Sequence, residues 1–565
     1  MSCSKSNPTV PGDESISNLK KLREMLWTEG DHTISEQALK ERRVDVSNVI
    51  LGREYTDTQN WTNGQRGYIL THEDDLPSAQ DPVELVVVTW SEMDSMSYDG
   101  GTYYFWNVYF KVLAFDENDN IVSATEYTLE NLQWNPGAGC IPAIQNYPCV
   151  TAHISDVDPS NDEFEEPKLI VDIAYQRGCQ WGDYDNWSVC HVQYRQDEND
   201  PDVYDALVKV SGPNTIAPYN PETEWAIHPD IVIGTYFRID PGPPPIVYNI
   251  DWLMVVFEVI EKETSAASVV YRQCPSWRTD DLTFGWGELE YVSILVIPGS
   301  EEVIPQYPRI DAGIDCSDPL VPNPQFYIAA VVWHSVYDTG QFLTSKLYFN
   351  YKPFNVPEWG QIFQPNASEF DSFDTTACPN GLPYVEVDPL ENLLEGHCPE
   401  NYTHMVWSRF MNPAGTDIEP YYTNSELVMQ HWWEPGAAIR KVYDGGQYYR
   451  EGLTTISTYS DQADNDPYDR VGTIQFISAP NGSQEYPVYS VDLWYINEDP
   501  QDPDFSQTIE PVSDSGNSSS DEFPWECGPS SAMRGGDVTF CAWTKKFQQD
   551  QPPLLIYDII SDQDL

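Results

Sequence analysis

Residues Glu84-Leu85-Val86-Val87-Val88-Thr89-Trp90 are followed by Tyr98-Asp99-Gly100-Gly101-Thr102-Tyr103-Tyr104. The first segment is β-branched and apolar, the second is aromatic, and both suit a pleated sheet. Between them, Asp-Gly-Gly supplies the positive backbone dihedrals of a tight hairpin turn. The stretch therefore reads as strand, turn, strand, with aromatic side chains facing each other across the pair. The pattern recurs. Glu426-Leu427-Val428 runs to Trp432 and is followed by Tyr443-Asp444-Gly445-Gly446-Gln447-Tyr448-Tyr449. A looser copy is Ala329 to Trp333, followed by Tyr337-Asp338-Thr339-Gly340-Gln341-Phe342. In the two closer copies an acidic loop, Asp116 to Asn120 or Asp461 to Asp466, begins 17 residues after the Asp of the turn. Matching residues at matching spacing indicate an internal repeat.

Outward from these hairpins the chain continues as strands. Trp106 to Phe115, Leu169 to Tyr175, Trp252 to Glu261, Tyr291 to Ile297 and Ser490 to Tyr495 are apolar or alternating runs punctuated by Gly, Pro, Asn and Asp. Frequent short strands without intervening helices exclude βαβ units. The expected fold class is all-β, as tandem β-sandwiches of Ig-like or jelly-roll-like type. Ile16, Leu19, Leu22 and Leu26 give residues 13–50 a helical face, with Asp13 and Thr33 as caps. A helical hairpin is expected to precede the sheets, as an assembly arm or as a lid on the first of them. The expected domains are 1–53 (helical arm), 54–165, 166–240, 246–322, 323–411 and 412–565. Pro-rich linkers are expected at Pro241 to Pro245, Lys352 to Gly360 and Asn412 to Pro420.

The turn at Ser97, Asp99 and Gly101 resembles the Asp-box hairpin of sialidase-like β-propellers, whose pattern is Ser-x-Asp-x-Gly-x-Thr-Trp. Tyr103 and Tyr104 stand where that family has Thr and Trp. The resemblance covers about eight residues per copy and implies propeller blades. The copies are unevenly spaced, which suits sandwiches better than regular blades.

The 565 residues carry 29 Lys and Arg against 90 Asp and Glu, a formal charge of −61. Residues 1–53 are neutral, so the whole excess lies beyond them. Such a surface excludes a nucleic-acid binder, which needs a basic footprint. It also disfavours anionic lipid, and no apolar run reaches the ~20 residues of a membrane span. A saline or calcium-containing setting would screen the self-repulsion. Ten of the eleven cysteines form close neighbours: Cys140/Cys149, Cys179/Cys190, Cys274/Cys316, Cys378/Cys398 and Cys527/Cys541. Without a Cys-x-x-Cys motif these read as disulfides and an oxidising location, or as buried thiols. No secretory signal is evident at the start of the sequence. An extracellular or virion-surface location is the expectation.

Three sets of residues could carry chemistry. Acidic loops offer oxygen ligands for calcium at Asp116, Asn118, Asp119, Asn120, Asp197, Asp200, Asp461, Asp464 and Asp466, or are solvated turns. The first of these, Asp116 to Asn120, also looks like the calcium-linker motif of cadherins. Aromatic residues are abundant, with 19 Trp and 35 Tyr. Tyr103, Tyr104, Trp106, Trp432, Trp433, Tyr448 and Tyr449 could form a platform on which sugars stack beside carboxylates, or could serve as strand packing and subunit interface. Nucleophile elbow, P-loop, dinucleotide fingerprint and zinc-protease histidine pair are all missing. His334 and His431, beside Trp333 and Trp432, read as strand or interface residues. The leading expectation is a non-enzymatic structural or adhesive protein, most of all a virion component that self-associates or binds other structural proteins. The alternative is a secreted carbohydrate-binding or carbohydrate-cleaving protein, and a calcium-dependent matrix scaffold is third.

Overall fold

The computed structural model describes 29 strands between Val44 and Ser561, together with the connecting residues 116, 120, 129, 197, 205–206, 218–223, 262–266, 276, 285–289, 292–293, 356, 358–360, 362, 442 and 512. No described residue is α-helical. Among the described residues the strands fall into seven antiparallel units along the chain, the first two joined in one eight-stranded sheet. The first holds β1 (Val44–Ile50), β2 (Glu84–Tyr98), β3 (Gly101–Phe115) and β4 (Ile121–Thr128). The second holds β5 (Ala143–Asp158), β6 (Glu163–Trp181), β7 (Tyr184–Gln196) and β8 (Leu207–Ala217). A single parallel bridge, Trp106 to Ile144, joins these two. The third holds β9 (Glu224–Asp240), β10 (Ile246–Glu261), β11 (Ala267–Pro275) and β12 (Glu290–Tyr291). The fourth holds β13 (Ile304–Ile314), β14 (Tyr327–Asp338) and β15 (Leu343–Pro353). The fifth holds β16 (Asn380–Val387), β17 (Tyr402–Phe410), β18 (Ile418–Glu426) and β19 (Arg440–Lys441). A two-stranded pair, β20 (Tyr448–Tyr449) with β23 (Ala479–Pro480), stands apart. The sixth unit holds β21 (Thr454–Ser460), β22 (Arg470–Ile477), β24 (Val488–Tyr495), β25 (Asp504–Phe505) and β26 (Glu510–Pro511). The seventh holds β27 (Trp525–Arg534), β28 (Val538–Lys546) and β29 (Leu554–Ser561).

The first strands of the seven units form a closed circuit. β1 lies against β5, β5 against β9, β9 against β13, β13 against β16, β16 against β21, β21 against β27, and β27 against β1. Radial sheets around such a ring are the blades of a β-propeller, seven of them among the described residues. The apolar patterning explains the arrangement. On β2, Leu85 and Val87 enter a core shared with the second blade. The alternate residues Val86 and Val88 enter one shared with Phe540 and Ala542 of the seventh. On β10, Leu253, Val255 and Phe257 face the second blade, while Met254 and Val256 face the fourth. On β14, Ala329, Val331 and Trp333 face the third blade, while Ile328, Ala330 and Val332 face the fifth. A strand buried on both faces reads as a continuous apolar run. Face-to-face sheet packing, as in a sandwich, is present. It does not stop at pairs, because each sheet has a second apolar face to cover. The tandem-sandwich expectation is corrected on this point.

Other expectations are corrected too. Residues 44–50, assigned above to a helical region, are β1: Val44, Val46, Val49 and Ile50 are β-branched, and the segment pairs antiparallel with Glu84 to Trp90. The remainder of the helical hairpin lies outside the described residues. The boundary at 165/166 falls inside β6. Asp240 and Ile246, which flank the Pro-rich segment 241–245, pair within one blade, so no domain boundary separates them. Phe410 and Ile418, on either side of the segment from Asn412, likewise pair within one blade. Copies one and three of the repeat occupy equivalent places, the β2–β3 and β14–β15 hairpins. The second does not, because Glu426 ends the third strand of its blade. Its residues 427–439 lie outside the described set.

One feature recurs in five of the first strands. Tyr147-Pro148, His228-Pro229, Tyr307-Pro308, Leu382-Pro383 and Gly528-Pro529 are β-bulges, two residues set against one on the second strand. The opposing residue is aromatic each time: Tyr175, Phe257, Trp333, Trp407 and Trp543, all at most 3% exposed. Proline has no N–H to donate, so it suits an unpaired bulge position. Tyr147, His228 and Tyr307 take positive φ of 50°, 50° and 49°, which L-residues adopt at a cost. Side chains of the preceding blade offset part of it. Gln176 Oε1 accepts the His228 N–H at 3.2 Å, and Glu258 Oε1 accepts that of Tyr307 at 2.7 Å.

Candidate functional site

Two polar regions stand out. The first is the seam between the second, third and fourth blades, made by the bulges just described. His228 Nδ1 lies 2.6 Å from Glu258 Oε1. The His228 ring stacks on Tyr307 at 4.2 Å and meets Tyr147 edge-on at 4.7 Å. Tyr307 in turn stacks on His334. Burial and the neighbouring His228 push the His334 pKa down to about 3, so the ring is neutral at physiological pH. His228, Glu258 and His334 are at most 3% exposed. These side chains are enclosed where the second, third and fourth blades pack together. This is the strand or interface role expected of His334. His431 lies outside the described residues.

The second region is open to solvent. A pocket of about 380 Å³ lies on the outer rim between the third and fourth blades. β12 and its continuation supply Glu290, Tyr291, Val292 and Ser293. β15 supplies Asn350, and the segment after it supplies Glu358, Trp359, Gly360 and Ile362. Local hydrogen bonds shape the walls. Ser293 Oγ accepts the Val269 N–H at 2.7 Å, and Asn350 Nδ2 donates to Val292 O at 3.1 Å. The Gly360 N–H donates to Tyr351 O, which turns the segment back over the pocket. Trp359 meets Tyr271 edge-on at 5.0 Å and packs on the core between the two blades. Tyr291 is 63% exposed, which is unusual for so large a ring and leaves its face available. Lys352 donates to Glu290 Oε2 and sits over the Tyr271 ring. Its ammonium is therefore committed beneath the pocket. An exposed aromatic face, an indole, an amide and two carboxylates on one concavity of this size can hold a small polar molecule with apolar faces.

The residues singled out from sequence fall elsewhere. Trp106 is buried at 6% exposure on β3 and cannot serve as a platform. Tyr103 and Tyr104 pair with Met96 and Ser95 across the β2–β3 hairpin, and Tyr448 and Tyr449 form β20. Trp432 and Trp433 lie outside the described residues, as do Asn118, Asp119, Asp200, Asp461, Asp464 and Asp466. Asp116 accepts hydrogen bonds from the main-chain and side-chain nitrogens of Asn120, so its carboxylate closes its own turn. The Asp197 N–H closes the β7–β8 loop on Ala206 O. Among the described residues no group of three or more His, Cys, Asp or Glu side chains is gathered to hold a metal ion.

Strand register sets two of the cysteine pairs apart. Cys190 lies opposite Tyr175, four residues from Cys179. Cys527 lies opposite Thr544, three residues from Cys541. At about 3.3 Å per residue neither pair meets the reach of a disulfide. Cys149 and Cys274 are buried, and their thiols donate to Ala174 O and Pro275 O. Cys140, Cys316, Cys378 and Cys398 lie outside the described residues. The pocket was missed because its lining comes from a two-residue edge strand and from a stretch taken for a linker.

No family model matches the chain, and no curated protein matches it. Among solved structures, the chain is similar to a mutant of the NanB sialidase of Streptococcus pneumoniae, with a TM-score of 0.36 and 9% identity over 93% of this chain and 69% of that one. A leech intramolecular trans-sialidase gives a TM-score of 0.32 and 11% identity over 94% and 70%. An α-L-arabinofuranosidase of Fusarium graminearum gives 0.35 and 10% over 73% and 92%. These are carbohydrate-active enzymes by name, and the expectation of a non-enzymatic virion or adhesive protein is corrected accordingly. Likeness at this level reaches neither a catalytic residue nor a substrate. No described helix is long and apolar enough to cross a membrane.

Proposed function

We propose that this chain is a carbohydrate-active protein and that the pocket between the third and fourth blades is its sugar site. The observation that carries the reading is the exposed Tyr291 beside Glu290, Glu358 and Asn350 on one concavity. A sugar ring has apolar C–H faces and a hydroxyl rim. The Tyr291 face suits the first, while the carboxylate oxygens of Glu290 and Glu358 accept hydrogen bonds from the second; the Asn350 amide, bonded to Tyr351 N–H and Val292 O, shapes the wall. Two carboxylates are also the residue types a glycosidase uses as general acid and base. Glu358 is exposed and in position to meet solvent water, whereas Glu290 is held by Lys352.

The test is a glycan array with the full chain, followed by reducing-sugar release on every glycan bound. Binding that disappears in Tyr291→Ala supports the site. Release that disappears in Glu358→Gln, with binding retained, adds cleavage to recognition. Sugar binding unchanged in Tyr291→Ala would sink the reading.

A further inference from the structure

The charges around the pocket select among sugars. Glu290 and Glu358 bring two negative charges to the lining, and none of the lining residues is Lys, Arg or His. The nearby cation, Lys352, is only 5% exposed and is occupied by Glu290 and the Tyr271 ring. Two carboxylates and one ammonium leave one uncompensated negative charge. It belongs to Glu358, which makes no ion pair among the described residues. The wider field has the same sign, since the chain carries a formal −61. Such a field raises the local concentration of cations and repels anions. An acidic sugar would meet two carboxylates and find no exposed cation among the described lining residues to receive it. A sugar with one ammonium group would complete the local balance, donating charge-assisted hydrogen bonds to Glu358. Its ring and ammonium would also be attracted to the exposed face of Tyr291.

We infer that the pocket takes an amino sugar in its protonated form, in preference to neutral or acidic sugars. The inference rests on the carbohydrate reading above and narrows it to a substrate class.

The test is calorimetric titration of the full chain at about pH 6 with the glucosamine disaccharide, its N-acetylated counterpart and sialyllactose. A partly exposed charge pair predicts that the glucosamine disaccharide binds about three- to tenfold tighter than the N-acetylated one. Sialyllactose should be the weakest. The preference should shrink as salt is raised. Glu358→Gln should abolish the preference, and Glu126→Gln, on β4 of the first blade, should leave it intact. Equal binding of the two disaccharides, lost together in Tyr291→Ala, would overturn the amino-sugar inference and leave the carbohydrate site standing. Binding of none of the three sugars would overturn both. An effect of Glu126→Gln as large as that of Glu358→Gln would show diffuse attraction between polyanion and cation, and would overturn the inference too.

Discussion

Asp311 Oδ2 accepts the backbone N–H of Val387 at 2.6 Å, across the boundary between the fourth and fifth blades. The same device joins other neighbours in the ring. Asp45 Oδ2 accepts the Val150 N–H at 2.8 Å, and Ser47 Oγ accepts that of Ala152 at 2.9 Å, so β1 holds β5 at two levels. Asp230 Oδ2 accepts the Ile310 N–H at 2.9 Å between β9 and β13. Asp45 Oδ1 also takes the Ser530 hydroxyl from β27, where the ring closes. A first strand has no hydrogen-bonded partner on its axial side within its own sheet. Short acidic and hydroxyl side chains satisfy those amides from the neighbouring blade.

Asp311→Ala should therefore leave a buried amide without an acceptor and cost about 1–3 kcal/mol. Asp311→Asn keeps an acceptor oxygen and should cost less. Thermal unfolding of both variants, followed by calorimetry, checks the order. Equal stability of the alanine variant and the parent would contradict the inter-blade role.

The aromatic residue opposite each bulge predicts a second stability effect. Trp407 is fully buried against the bulge at Leu382-Pro383. Trp407→Ala should destabilise by about 3–5 kcal/mol through the cavity it leaves. Tyr291→Ala, at an exposed edge, should stay within about 0.5 kcal/mol. Urea titration separates the two, and a large loss in Tyr291→Ala would mean that the ring is part of the core rather than a sugar platform.

His334 gives the pH dependence a definite sign. Its folded pKa of about 3 lies below the ordinary histidine value of 6.5 because burial disfavours the charged ring. Between those values the unfolded chain binds a proton that the folded chain does not. This site therefore lowers stability as pH falls from about 6.5 toward 3. His334→Gln should show a shallower decline between pH 7 and 5 than the parent. Parallel curves would contradict the buried, neutral ring.

The cysteines predict a mapping result. Peptide mapping without reductant should recover no Cys179–Cys190 and no Cys527–Cys541 linkage. Either linkage would require a register different from the one described.

Much of the fold was legible in the sequence and much was not, for identifiable reasons. Val86 to Val88, Leu253 to Phe257 and Ile328 to Trp333 announce strands. Their unbroken apolarity, rather than alternation, is the signature of burial on both faces, and it argues for serial sheets over sandwiches. The aromatic hairpin at Asp99 drew attention to an eight-residue turn. The stronger repeat is the residue–proline bulge at Pro148, Pro229, Pro308, Pro383 and Pro529, spaced 81, 79, 75 and 146 residues apart. It is hard to see because only one residue is invariant, and the opposing aromatic changes from Tyr175 to Phe257 to Trp333. β1 was hidden by the helical pattern before it. The pocket was illegible for another reason. Tyr291 and Trp359 are 68 residues apart and meet only because neighbouring blades set β12 beside β15.

The most direct measurement of the central claim is a crystal structure of the full chain soaked with its tightest array ligand. The account predicts a sugar ring stacked on Tyr291, with its polar groups directed at Glu290 or Glu358. A sugar bound elsewhere on the protein, with the rim pocket empty, would contradict it.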